Sequence, residues 1–134
     1  MTIETTLLYL LLSIIITLTI IFSYIELNKK ELDSKLAIDA SNKIQKTSNL
    51  DPSLSLIESH KILTNTLKTM FRNKKINSAK MLNKVSKKFK DEKEFWFYHR
   101  MRNKAAHEDD FKVTKDDAAK ARKVFSDALK TIAL

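Results

Sequence analysis

Residues 5–25 read TTLLYLLLSIIITLTIIFSYI, twenty-one positions without a charge, and they decide the architecture of the chain. At about 1.5 Å per residue the stretch spans roughly 32 Å as a helix, enough for a hydrocarbon core of about 30 Å. Ser13, Thr17, Thr19 and Ser23 are compatible with that, because a hydroxyl can bond back to a helix carbonyl. Tyr9 and Tyr24 stand near the two ends, where amphipathic rings are favoured. A cleaved signal peptide fits poorly: the leading segment carries Glu4 instead of basic residues, and no small-residue cleavage site follows. Lys29, Lys30 and Lys35 come after the span and no Lys or Arg precedes it. The positive-inside rule then predicts one pass through the inner membrane, anchored through residues 5–25, with the C-terminal part in the cytoplasm.

Composition narrows what the remainder can be. The 134 residues include no Gly, no Cys and one Pro. Without Gly there is no phosphate loop of the Walker or Rossmann type. Without Cys there is no disulfide scaffold, iron–sulfur site or cysteine-based zinc site. Hairpin turns depend on Gly, so an all-β fold is also excluded. The expectation is all-α: a transmembrane helix in segment 1–27, a helical juxtamembrane connector over 28–50, and a four- to five-helix up-and-down bundle over 51–134. In the connector, Glu26/Lys30 and Glu31/Lys35 are favourable i,i+4 pairs that would let a helix continue out of the membrane.

The bundle helices announce their own starts. Asp51-Pro52 puts a capping carboxylate before a proline in the first helical position. Leu54, Ile57, Leu63, Leu67 and Met70 follow with helical spacing. A second helix is expected over Asn77–Lys90, with Met81, Leu82, Val85 and Phe89 on one side. A third runs from Asp91-Glu92 to about His107. The fourth opens at Thr114-Lys115-Asp116-Asp117, an acidic capping box, and turns Ala118, Ala121, Val124, Phe125, Ala128, Leu129 and Ile132 inward.

Charge is concentrated. The net formal charge is +9, and the span Arg72–Lys104 holds twelve basic residues against three acids. Such a cluster attracts polyanions, RNA or an anionic membrane face, unless it is simply a solvated lysine-rich surface. Lys84, Lys87, Lys88, Arg100 and Lys104 are the RNA-binding candidates within it. On the third helix, a wheel drawn from Phe95 groups Phe97, Tyr98, Met101 and Ala105 as the apolar stripe, and His99, Arg100, Asn103 and His107 as the polar one. Trp96 joins the polar stripe, leaving three of four consecutive rings for the core. Arg102 falls beside Tyr98, Phe95, Ala105 and Ala106, an awkward place for a guanidinium unless the edge is a polar cleft or a subunit interface. His99 can assist substrate binding or sit on the surface; His60 reads as a helix-flank residue. His107-Glu108-Asp109-Asp110 could hold a divalent cation, but acid clusters at helix ends are ordinarily solvated, so neither metal nor cofactor is expected.

Arg102-Asn103-Lys104-Ala105-Ala106-His107 resembles the arginine–polar–spacer–histidine motif of the HEPN superfamily (higher eukaryotes and prokaryotes nucleotide-binding). The helix order around it, over about residues 51–132, agrees with that resemblance. It implies a four- or five-helix bundle that dimerises, and in many members a metal-independent endoribonuclease of toxin, antiphage or RNA-processing type. In others it implies a non-catalytic module for RNA binding, protein interaction or dimerisation. Some members carry a modifiable Tyr two positions after the His; here Asp109 stands there. The chemistry suits the residues: a His can move a proton near neutral pH, and an Arg offers a permanent forked ligand for phosphate. On one helix Arg102 and His107 lie about 140° apart, so the catalytic set Arg102, Asn103 and His107 is expected to be completed across a homodimer interface, with Asn103 orienting His107. A further protein partner is left open.

Overall fold

In a computed structural model the chain divides into two compact units, Met1–Lys30 and Glu31–Leu134. The structure describes residues 1–27, 32–71 and 75–133. Lys29 and Lys30, the pairs Glu26/Lys30 and Glu31/Lys35, and Arg72 and Lys74 of the basic stretch therefore lie outside the described side chains.

The first unit is one helix, α1 (Ile3–Leu27). Its stretch Ile3–Ile25 is long and apolar enough to cross a membrane, and none of it is buried. Three mid-span hydroxyls are satisfied within the helix. Ser13 Oγ donates to the Leu10 carbonyl, Thr17 Oγ1 to Ser13 and Thr19 Oγ1 to Ile15, each at 2.8 Å. These three hydroxyls in the middle of the span thus have internal acceptors that lower the cost of lipid burial.

The second unit is an all-α bundle of α2 (Ser34–Lys46), α3 (Pro52–Lys68), α4 (Ser78–Val85), α5 (Glu92–His107) and α6 (Lys115–Ile132) among the described residues. Side-chain caps fix the starts. Asp51 Oδ2 accepts from the amides of Ser53 and Leu54, and Thr114 Oγ1 accepts from Asp117 N. Asp33, Asn77 and Asp91 cap α2, α4 and α5 in the same way. The core is apolar and continuous, with Ile44, Leu56, Leu63, Leu67, Met81, Leu82, Phe95, Phe125 and Leu129 wholly buried. Each such side chain contributes about 1.5–3 kcal/mol by leaving water.

Three features depart from the sequence expectation. The segment read as a connector is a full bundle member: α2 packs against α3 and α6, burying Ala37, Ala40, Ser41 and Ile44. Its stripe is thin because three of those four residues are small, which lets the neighbouring helices approach closely. The second expected helix stops early, at Val85, and a 3₁₀ turn over Ser86–Lys88 follows. There Ser86 Oγ donates to Glu92 Oε1 at 2.9 Å, tying the turn to the start of α5, while Phe89 packs edge-on against Phe95. The inward face of α3 is Ser55, Leu56, Ser59, His60, Leu63 and Leu67, leaving Leu54 exposed.

Candidate functional site

The buried face of α5 is rotated from the expected one. Phe95 is 0% exposed and Tyr98 is buried, but Phe97 is 50% exposed. Phe95, Tyr98, Arg102 and His99 therefore form the inward arc, with Met101 and Ala105 partly buried against the core, and only Phe97 of the expected apolar stripe lies towards solvent. What turns the helix this way is a partner on α3. His60, expected on a flank, is buried at 5% exposure, and its ring meets Phe125 of α6 edge-on at a centroid distance of 5.5 Å.

A chain of hydrogen bonds links the polar members of this arc. His60 Nε2 lies 2.9 Å from His99 Nδ1. His99 Nε2 is 3.3 Å from Asn103 Nδ2, and Arg102 Nη1 donates to Asn103 Oδ1 at 3.1 Å. Burial, reinforced by the positive charge of Arg102 and by the second ring, pushes the His60 pKa down to about 3. The His99 pKa is also lowered, by burial first and then by Arg102 and Arg100. Both rings are thus neutral near pH 7. Arg102, partly buried, spends one donor on Asn103, and its buried Nε has no partner among the described residues.

The solvent side of α5 has a different character. On the helical wheel its exposed arc from His107 to Phe97 carries Arg100, Lys93 and Lys104 and no carboxylate of α5 itself, while Trp96, partly buried beside it, donates to Glu92 Oε1 at 3.4 Å. Phe97, Arg100, Met101, Lys104 and Phe111 line an open groove of about 310 Å³, with Lys104 Nζ 5.7 Å from the centre of the Phe111 ring. Another cavity, of about 230 Å³, has a floor of Phe89, Phe95, Val124 and Ala128, but three carboxylates (Asp91, Glu94 and Asp127) share its rim with Lys90 and Lys123. An anionic ligand fits the α5 face better than that rim.

The structure thus brings together Arg102, Asn103 and His99, with His60 as a fourth member that sequence reasoning placed elsewhere. It does not bring His107 to them. That residue is exposed at the last position of α5, about 7.5 Å along the axis and 140° around it from Arg102. Asn103 uses its amide on His99 and Arg102, one turn back and next door, and so corrects the reading that it orients His107. Lys84, Lys87 and Lys88 are exposed on α4 and its 3₁₀ turn. The turn is tied to Glu92, ten residues or about 15 Å along α5 from Arg102. Lys87 and Lys88 therefore belong to the opposite end of that helix, while Arg100 and Lys104 flank Arg102 in sequence. Among the described residues no three His, Asp or Glu side chains gather as a metal site. The i,i+4 spacing of His99 and Asn103 is the one sequence signal for the network; His60 gave none. No family model, curated protein or solved structure matches the chain.

Proposed function

We propose that this chain is a membrane-anchored, HEPN-like domain that acts on RNA at the cytoplasmic face of the inner membrane as a metal-independent endoribonuclease. The observation that carries the reading is the partly buried Arg102–Asn103 pair, hydrogen-bonded to a neutral imidazole on the helix whose exposed arc is cationic. In the proposed reaction the His107 imidazole of one copy takes the 2′-hydroxyl proton as the 2′-oxygen bonds to phosphorus. The bond from phosphorus to the 5′-oxygen breaks, and that oxygen receives the proton from the imidazolium so formed. The products are a 2′,3′-cyclic phosphate and a 5′-hydroxyl. Arg102 neutralises the charge that builds on the phosphoryl oxygens. His107 and Arg102 of one chain lie about 140° apart around α5, which favours a site completed by a second copy of the chain. Arg100 and Lys104, with more distant support from Lys84, Lys87 and Lys88, would hold the flanking backbone.

The test is incubation of the full chain in detergent micelles with mixed single-stranded RNA and EDTA. Arg102→Ala and His107→Ala run beside it, with circular dichroism to confirm helicity. Cleavage by wild type alone supports the reading, and intact RNA in every lane refutes it. A second reading, a non-catalytic RNA-binding or protein-interaction module, draws support from the apolar groove of Phe97, Met101 and Phe111. It predicts indifference to Arg102→Ala and sensitivity to Phe97→Glu.

A further inference from the structure

The direction of every hydrogen bond in the buried chain follows from one residue. A guanidinium only donates, so Asn103 must turn Oδ1 towards Arg102 Nη1. That leaves the amide nitrogen facing His99, and Nδ2–H donates to His99 Nε2. A neutral His99 whose Nε2 accepts carries its proton on Nδ1, and Nδ1–H donates to His60 Nε2 at 2.9 Å. His60 in turn carries its own proton on Nδ1. The chain runs one way, from arginine to the buried ring, with no alternative polarity as long as Arg102 is charged. Were His99 to hold a proton on Nε2, two donors would face each other, and the Asn103 amide could relieve this only by turning its nitrogen towards Arg102.

We infer that His60 is a positioning residue of the site: it accepts the Nδ1–H that Arg102 and Asn103 oblige His99 to carry, holds the His99 ring in place, and through His99 and Asn103 sets how the Arg102 guanidinium is presented. Burial on α3 gives His60 the rigidity the task needs, since Phe125 of α6 packs on one side and His99 on another. Phe95 and Trp96 close around the His99 ring at centroid distances of 6.1 and 5.1 Å, so its orientation is set by packing as well. Among the described residues Arg102 Nη2 has no hydrogen-bond partner, and a phosphate is the ligand such a fork accepts. The catalytic consequence rests on the ribonuclease reading above; the tautomer does not.

Two measurements on the full chain in detergent micelles separate these. In 15N-histidine long-range correlation spectra, His99 of the wild type is expected to show a protonated Nδ1 and a bare Nε2. His60→Leu removes the acceptor but not the Arg102–Asn103 bond, so the proton stays on Nδ1, loses its hydrogen bond, moves upfield and exchanges faster with water. His60→Gln, whose Oε1 can accept from the same direction, keeps the Nδ1 proton downfield and protected. In RNA cleavage, kcat falls by about tenfold in His60→Leu, the worth of one hydrogen bond, and recovers in His60→Gln. A wild-type His99 protonated on Nε2 overturns the inference, as does an Nδ1 proton resonance unmoved by His60→Leu or an equal kcat for the Leu and Gln variants. If His60→Leu does not fold, the wild-type tautomer and the Gln variant decide. If wild type leaves RNA whole, the ribonuclease reading falls and the spectra alone decide the positioning role.

Discussion

His60 Nε2 and His99 Nδ1 meet at 2.9 Å across the packing of α3 against α5, joining residues thirty-nine positions apart. That contact makes one face of α5 the inner face and leaves its cationic, aromatic face in water. It also places a titratable ring where a charge cannot be tolerated.

Stability should therefore depend on pH through His60. The folded ring has a pKa of about 3 against an ordinary 6.5, so between those values the unfolded chain binds the extra proton. Stability is full above 6.5 and is lost as pH falls through that window. His99 is shifted in the same direction and adds to the slope. By pH 5 the His60 share is about 2 kcal/mol. Thermal melts at pH 7.5 and 5.0 should show a larger drop in Tm for wild type than for His60→Gln. Equal drops would mean that the buried ring is not neutral in the folded chain.

A second buried polar cluster tests how polar residues are tolerated in this core. Thr47 Oγ1 lies 3.1 Å from Ser55 Oγ and 2.8 Å from Ser59 Oγ, and Arg122 Nη1 donates to Ser55 Oγ at 2.9 Å. Thr47→Val keeps the shape and removes the shared hydroxyl. It should destabilise the fold by about 1–3 kcal/mol in urea denaturation, because buried serine hydroxyls lose a partner. A neutral result would contradict the hydrogen-bonded account of this corner.

Adjacent aromatics should behave oppositely. Phe95→Ala empties a wholly buried position and should cost about 3–5 kcal/mol. Phe97→Ala, on the half-exposed side, should cost less than about 1 kcal/mol. Chemical denaturation of the two variants checks which side of α5 faces the core.

Much of this fold is legible in the sequence because its signals are local. The uncharged run of α1, the Asp51-Pro52 cap and the Thr114 cap each need only a few neighbouring residues, and all three mark real helix starts or spans. What escaped depends on distant partners. Ala37, Ala40 and Ser41 look too small to hold α2 in a core until α3 and α6 are brought against them. The wheel of α5 has aromatics on both sides, and weight of apolar residues alone puts Phe97 inward with Met101 and Tyr98. His60 draws Phe95 and His99 inward instead and leaves Phe97 in water, and nothing near His60 in sequence says that it will be buried. The awkward position of Arg102 was visible, but the Asn103 and His99 groups that relieve it were read as serving other partners.

A site completed by two copies predicts complementation. Arg102→Ala and His107→Ala chains, each inactive alone, should recover about a quarter to a half of wild-type activity when co-expressed, since mixed pairs keep one intact half-site set. Cleavage assays on the co-purified mixture check this, and no recovery would confine the chemistry to one chain.

The most direct measurement is the chemistry of the RNA ends. After incubation of the full chain with RNA in EDTA, the account predicts fragments bearing 2′,3′-cyclic phosphate and 5′-hydroxyl from wild type, and none from Arg102→Ala. Intact RNA with wild type, or the same fragments from Arg102→Ala, would contradict it.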